Sequence, residues 1–165
     1  MAGIKKETGK VGHFTSDERG FTGILAIAIL FISITIILGL MDLFTYDLVG
    51  ERIQETADVG GPAALAFALD RQALEDKVLK VDRALAEEQF RQILRNNFNL
   101  DSTLIPVRDS FLKSPVRITR FDVTRVSSQQ VQLDVTMTVD IYLQLFKRSR
   151  TLLVESRSTL DYHDV

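Results

Sequence analysis

The chain contains no cysteine, no tryptophan and only two histidines, His13 and His163. Without cysteine it has no disulfide framework, thiolate metal site or cysteine nucleophile, and two histidines are too few for a multi-histidine metal cluster. Neither sign of charge dominates, because 20 Lys and Arg residues oppose 22 Asp and Glu residues. This balance excludes a generally basic nucleic-acid binder. The 45% share of hydrophobic residues excludes an acidic disordered chain.

The common catalytic motifs are also missing. The sequence has no nucleophile elbow, phosphate-binding loop, zinc-ligand spacing or glycine-rich dinucleotide motif. Asp161, His163 and Asp164 lie together at the C-terminus, and we interpret them as a solvated tail. We therefore expect a protein that is not an enzyme, uses no cofactor or metal, binds no nucleic acid and has no evident small-molecule substrate.

The most prominent feature that is present is an uncharged run from Phe21 to Met41, FTGILAIAILFISITIILGLM. As a helix it spans about 30 Å, the thickness of a bilayer's hydrocarbon core. It is apolar on every face, and the rest of the chain is too small to surround it. No A-x-A-like cleavage site follows it. The run predicts an uncleaved transmembrane helix over 21–44, with the lipid bilayer as its partner.

Basic residues flank this run unequally. Before it lie Lys5, Lys6, Lys10 and Arg19, whereas only Arg52 lies close behind it. Lys and Arg are retained on the cytoplasmic side of a span. The sequence therefore predicts a single-pass protein of the cell membrane, with residues 1–20 as a cytoplasmic leader and the C-terminal part extracytoplasmic.

Four small or weakly polar residues lie within the run: Gly23, Ser33, Thr35 and Gly39. Small residues let a second membrane helix approach closely. Such residues are also common in membrane helices generally, and the run contains no G-x-x-x-G pair. A packing face and an ordinary span both remain open.

Beyond the membrane the pattern stays helical. Val49, Ile53 and Ala57 recur at the spacing of one helix face, which predicts an amphipathic stalk over 45–61. We expect Gly60, Gly61 and Pro62 to break or kink the helix, because proline suits the first turn of a new helix. The segment that begins at Pro62, PAALAFALDRQALEDKVL, is rich in helix formers.

A further amphipathic helix is predicted from Asp82 to about Asn97. Asp82 is suited to cap it. Its apolar side is predicted to consist of Leu85, Phe90, Ile93 and Leu94. Residues 99–115, which contain Pro106 and Pro115, read as an irregular connection.

The C-terminal third predicts an antiparallel sheet. Apolar residues occupy every second position from Val131 to Leu145, the pattern of a strand with one buried face. Val116–Val126 is a second strand candidate, with a change of parity between Ile118 and Phe121 that indicates a bulge. Ser127–Gln130 would close a hairpin, and a third strand follows over Thr151–Tyr162. The expected class is α+β, with an extracytoplasmic domain of helices and about three strands over 62–165.

One stretch resembles the processing site of pilin-like proteins. In DERGFTGILAIAILF (Asp17–Phe31), a polar leader ends in Gly20-Phe21 and the apolar helix starts at once. This resembles the prepilin-peptidase site of type IV pilins and pseudopilins, which implies cleavage between Gly20 and Phe21. Most pilins have Glu at the fifth position of the mature chain, where this sequence has Leu25.

A second stretch, LVGERIQETADVGGPAALAFAL (Leu48–Leu69), resembles the segment just outside the membrane in TadE/TadG-like proteins of the Flp (tight adherence) pilus system. The matching features are Glu51-Arg52-Ile53-Gln54, Ala57-Asp58 and the alanines that follow. TadG-like members often keep their N-terminus, so the resemblance leaves open whether the leader is removed.

The resemblance implies a non-enzymatic minor pilin or assembly component of a Tad/Flp-type pilus or related secretion apparatus. Its partners would be other pilin-like subunits or pilus-assembly proteins, and it would stay in the membrane or enter a surface filament. Two alternatives stay open: a single-pass membrane protein with an extracytoplasmic binding or sensory module, and a membrane-anchored enzyme or secretion accessory.

Overall fold

The computed structural model of the protein describes residues 17–71, 73 and 78–161. Two long helices and one sheet are defined there: α1 (Asp17–Phe67), α2 (Arg83–Phe98), β1 (Val116–Ser127), β2 (Gln130–Leu143) and β3 (Arg148–Asp161). The three strands form an antiparallel sheet in the order β1-β2-β3. This confirms the predicted α+β class.

The chain divides into two compact units, Met1–Leu40 and Met41–Val165. The second unit, which we call the head, contains the sheet, α2 and the part of α1 from Met41 onward. The sequence prediction placed the start of the outer domain at residue 62. The division lies earlier because residues of α1 such as Val49 and Ile53 are buried in the core of the head.

Helix α1 is continuous over 51 residues, with Pro62 inside it. The predicted helix break at Gly60, Gly61 and Pro62 is therefore not observed. Proline removes one backbone donor and is unfavourable in a helix interior. Here the turn that follows it is held by tertiary packing, since Ala64 and Leu65 are fully buried. The rest of the helix predicted from Pro62 falls partly outside the described residues.

The two glycines of this segment serve close packing. A Cβ on Gly60 would lie 3.1 Å from Ile93 Cγ2 of α2. A Cβ on Gly61 would collide with the Ser158 hydroxyl of β3 and lie 3.5 Å from Leu133 Cδ2. Successive glycines thus let α1 approach α2 on one side and the sheet on the other. That close approach is the physical reason for the glycine pair, which the sequence analysis assigned to a break.

Helix α2 is capped at both ends. The Asp82 carboxylate accepts hydrogen bonds from the backbone N–H groups of Ala84 and Leu85 at 2.9 and 3.2 Å, which confirms the predicted cap. Asn99 ends the helix in the left-handed conformation, with φ of 52°. The buried side consists of Ala86, Phe90, Leu94 and Phe98. The prediction that Leu85 faces inward is wrong, because its side chain is exposed.

The sheet follows the predicted alternation. Every second residue of β2 from Val131 to Leu143 is buried. The register between β1 and β2 shifts between Ile118 and Arg120, where the change of parity indicated a bulge. Ser127 pairs with Gln130, so the predicted hairpin is confirmed. β3 begins at Arg148, three residues before the predicted start.

One face of the sheet is covered by the two helices. Phe90 of α2 packs on Phe121 of β1 with ring centroids 5.7 Å apart. At the opposite edge of the same face, α1 approaches Leu152 and Ser158 of β3. The loop between α2 and β1 is attached to α1 through Arg52, whose guanidinium lies 5.1 Å from the centre of the Phe111 ring. Together these contacts enclose a single core in the head.

The packing around the glycines of α1 predicts opposite effects of two Gly→Ala substitutions on the stability of the head. Gly61→Ala is expected to destabilise the head by about 1–3 kcal/mol, because its methyl group meets Ser158 and the helix must shift. Gly50→Ala is the matched control, since its Cβ would lie an ordinary 3.6 Å from Leu152. It should stabilise the head by up to about 1 kcal/mol through helix propensity. Denaturant unfolding of the full chain in detergent measures both changes.

A second variant tests the cause. Ser158→Ala in the Gly61→Ala background removes the colliding hydroxyl and should recover part of the lost stability. Equal stability of the Gly61→Ala and Gly50→Ala proteins would contradict the packing role of Gly61.

Candidate functional site

The N-terminal part of α1 presents an uninterrupted apolar surface. All residues from Phe21 to Ile37 are exposed, and none is charged. Within the part of the chain that the structure describes, α1 is the one helix long and apolar enough to cross a membrane. A surface this apolar needs lipid or another apolar partner, because water would not solvate it favourably.

The polar groups in this surface are bonded within the helix itself. The Ser33 hydroxyl donates to the carbonyl of Ile29 at 2.9 Å, and the Thr35 hydroxyl donates to the carbonyl of Phe31 at 2.8 Å. These bonds reduce the cost of placing a hydroxyl in hydrocarbon. Ser33 and Thr35 are therefore compatible with a lipid environment without a second helix.

Gly23, the first small residue of the predicted packing face, has open space around the position of a Cβ. Gly39 is half-buried and Ser33 and Thr35 are exposed. The four residues are not assembled against a partner helix among the described residues. Their role in packing stays a prediction.

The expected cleavage site lies within α1. The helix starts at Asp17, so the Gly20–Phe21 peptide bond belongs to its first turns. Phe21 is 69% exposed and Leu25 is 50% exposed. A peptidase acting at this bond would have to unwind only the start of the helix. Processing at this position is also a prediction.

A buried carboxylate stands directly after the apolar run. Asp42 is 7% exposed. Its Oδ1 accepts a hydrogen bond from the backbone N–H of Gln144 at 2.8 Å, and its Oδ2 accepts one from Leu145 at 2.9 Å. Both donors belong to the turn between β2 and β3. One side chain of α1 therefore fixes the tip of this hairpin to the helix.

The structural role of Asp42 is not among the features predicted from the sequence. The available signal is its position as the first charged residue after a long uncharged run. Its partners, however, lie about a hundred residues away along the chain. No local pattern indicates a contact at that separation.

Polar contacts continue along the boundary between α1 and β3. The Ser156 hydroxyl donates to Asp58 Oδ1 at 2.6 Å. Gln54 donates to the same oxygen at 2.9 Å and to the carbonyl of Glu155 at 3.1 Å. The bond to Glu155 satisfies a backbone acceptor of β3. These contacts engage Gln54 and Asp58 in the packing of α1 on β3.

The second face of the sheet is open and polar, and several of its charged side chains are paired. Arg157 Nε donates to Asp134 Oδ1 at 2.6 Å, and Arg120 Nε donates to Asp122 Oδ2 at 2.7 Å. The hydroxyl of Thr151 donates to Asp140 at 2.6 Å. Asp122, Asp134 and Asp140 are therefore engaged by neighbouring side chains.

Metal chemistry has no support in the described ranges 17–71, 73 and 78–161, because no group of three or more His, Asp or Glu side chains is placed to hold an ion there. His163 and Asp164 lie outside these ranges, so the interpretation of the C-terminal cluster as a solvated tail stays a prediction.

Asp42 gives a prediction on stability. Asp42→Ala leaves the N–H groups of Gln144 and Leu145 without their acceptor, which should cost about 1–3 kcal/mol. Hydrogen exchange at these two amides should rise more than elsewhere in the head. Asp47→Ala is the matched control, because it removes an exposed carboxylate from the same helix, and it should change stability by less than about 0.5 kcal/mol. Unchanged exchange at both amides would refute the role of Asp42.

The open face of the sheet gives a prediction on pH. The hydrogen bond from Arg157, assisted by Gln132, holds the pKa of Asp134 below its ordinary value. Ionised Asp134 therefore stabilises the head above its unfolded pKa of about 3.9, and this contribution is lost as the pH falls through the lower folded pKa. Asp134→Asn should flatten the loss of stability below about pH 4. Denaturant midpoints across acidic pH measure it, with Asp47→Asn as the control for net charge, and an unchanged profile would refute it.

Comparison of the chain with protein-family models, with curated proteins and with solved structures finds no match. The function is therefore inferred from the residues and contacts described above. The resemblance of Asp17–Phe31 and Leu48–Leu69 to pilin-like and TadE/TadG-like segments enters this inference as a hypothesis.

Proposed function

We propose that this chain is a membrane-anchored, pilin-like protein that acts by packing rather than by catalysis. In this proposal it is a minor pilin or an assembly component of a Tad/Flp-type pilus or a related secretion apparatus. Its N-terminus is cytoplasmic, as the unequal flanking charges favour, and its head is extracytoplasmic. Its partners are the lipid bilayer and other pilin-like subunits or assembly proteins.

The main observation in support of the proposal is that α1 has two structural roles. This one helix of 51 residues contains the exposed, uncharged run and also forms part of the core of the head. A subunit built in this way keeps its head attached to whatever environment the run occupies, first the bilayer and then the interior of a filament. In this view residues 45–61 are a stalk that is also part of the head.

A non-enzymatic role is supported by the occupation of the polar groups. Asp42, Asp58 and Asp134 all accept hydrogen bonds from groups of the head itself. General acid–base chemistry needs a titratable group positioned to meet a substrate. These carboxylates serve structural contacts instead.

The alternative is a single-pass membrane protein with an extracytoplasmic binding module unrelated to pili. Leu25 favours this alternative, because it stands where most pilins have the glutamate that is thought to pair with a neighbouring subunit. The two proposals differ in whether function depends on the Gly20–Phe21 bond.

The deciding experiment is the mass and N-terminal sequence of the protein from native membranes. For a processed pilin-like protein we expect a chain that begins at Phe21. Gly20→Ala should block this processing and leave the longer chain. Gly23→Ala is the matched control, since it makes the same change one helical turn further on, in open space, and should leave processing intact.

A chain that keeps its first residues in all three proteins would contradict the processed, polymerising pilin. It would favour a permanently anchored, TadG-like assembly factor or the unrelated binding module. Cross-linking between copies in intact membranes would then separate these two, because an assembly component must contact other subunits.

A further inference from the structure

The hairpin between β2 and β3 ends in a group of residues that we call the basic tip: Phe146, Lys147, Arg148 and Arg150. All four are exposed, and the Phe146 side chain is 64% exposed. Among the described residues, Lys147, Arg148 and Arg150 form no salt bridge. The tip thus combines an aromatic ring with three uncompensated positive charges.

Three other basic residues of the head are paired with carboxylates. Arg157 is paired with Asp134, Arg91 with Glu87 and Arg83 with Asp122. At these three places in the sheet and α2, positive charge is balanced locally. At the basic tip it is available to an anionic partner outside the head.

The position of the tip identifies that partner. Gln144 and Leu145, directly before it, are hydrogen-bonded to Asp42. Asp42 is the residue immediately after Met41, where the uncharged run ends. A bilayer that holds this run would end close to Asp42, which would bring the basic tip near the lipid headgroups.

The backbone conformation of Lys147 is a second indication that the positive charge of the tip has a function. Lys147 adopts a φ of 48°, a left-handed conformation that Gly and Asn adopt at lower cost. A lysine at this position places an ammonium group at the end of the turn in spite of the strain.

We propose that the basic tip docks on the anionic phospholipid headgroups of the bilayer that holds α1. Lys147, Arg148 and Arg150 bind headgroup phosphates, and the Phe146 ring enters the boundary between headgroups and acyl chains. The docking orients the head against the membrane surface. It depends on the membrane anchor of the proposed function but not on a pilus role.

The test uses the absence of tryptophan from the chain. Phe146→Trp places a single fluorophore at the tip, and Gln129→Trp places one in the turn at the opposite end of β2. The strand β2 that lies between these two turns is about 43 Å long at ~3.3 Å per residue. Each full-length protein is reconstituted into vesicles of equal parts phosphatidylcholine and phosphatidylglycerol, with acyl chains brominated near the headgroup as quenchers.

We expect strong quenching for Phe146→Trp and none for Gln129→Trp. Quenching of Phe146→Trp should weaken in phosphatidylcholine alone and at high salt, because screening and loss of anionic lipid remove the electrostatic attraction. Equal quenching in neutral and anionic vesicles would overturn recognition of the headgroup charge. Absence of quenching in both would overturn docking altogether.

Charge variants in the Phe146→Trp background test the three basic residues. Lys147→Asn with Arg148→Gln and Arg150→Gln removes the charges and supplies a residue suited to the left-handed turn, so the hairpin should stay folded. Its dependence on anionic lipid should disappear. Lys80→Gln with Arg83→Gln and Arg125→Gln makes the same change in net charge near the opposite end of the sheet. If both triple variants behave alike, the effect is one of net charge and the proposal fails.

Two controls separate this inference from the proposed function. Flotation with vesicles after alkaline carbonate extraction tests the membrane anchor itself, and loss of flotation would refute the anchor. A protein that floats but shows no quenching of Phe146→Trp refutes only the docking of the tip. Hydrogen exchange at Gln144 and Leu145 verifies that the hairpin is intact in each variant.

Discussion

The close packing of α1 on the sheet is the contact on which the head depends. A three-stranded sheet with one apolar face is not stable alone in water, and β2 buries a continuous row of side chains that includes Leu133 and Met137. Helix α1 covers this row together with α2. Gly60 and Gly61 make the approach close enough, because any side chain there would meet Ile93 or Ser158. The helix that covers the core is also the helix that contains the uncharged run, so the two parts of the protein share one backbone.

This shared helix gives the residue at the end of the run a structural role. Asp42 is the first charged residue after Met41, and its two oxygens hold the turn between β2 and β3. A carboxylate accepting two backbone donors is a strong and directional anchor. The hairpin and the residue at the end of the run are therefore coupled by two hydrogen bonds. Such coupling suits a protein whose work is to place a head relative to a membrane or a neighbouring subunit.

The surfaces of the protein differ in whether their charged or apolar side chains have partners within the molecule. On the open face of the sheet, Arg157 neutralises Asp134 and Arg120 neutralises Asp122. Exposed pairs of this kind contribute little stability, but they leave no strong local field. The uncharged surface of α1 and the basic residues after Phe146 are different, since neither is satisfied within the described part of the molecule. A lipid bilayer with anionic headgroups would meet both requirements.

The local elements of this protein were determined by the sequence itself. The uncharged run, the Asp82 cap, the alternation from Val131 to Leu143 and the bulge after Ile118 all act through neighbours a few residues apart, so their patterns are visible in the chain. The tertiary structure alone decided that α1 continues through Pro62, that Leu85 faces outward and that Asp42 binds the hairpin. Each of these depends on groups distant in sequence: Ser158 and Ile93 for the glycines, the sheet for the orientation of α2, and Gln144 and Leu145 for Asp42. Packing between distant segments overrides local propensity because burial and paired hydrogen bonds outweigh the cost of one proline in a helix.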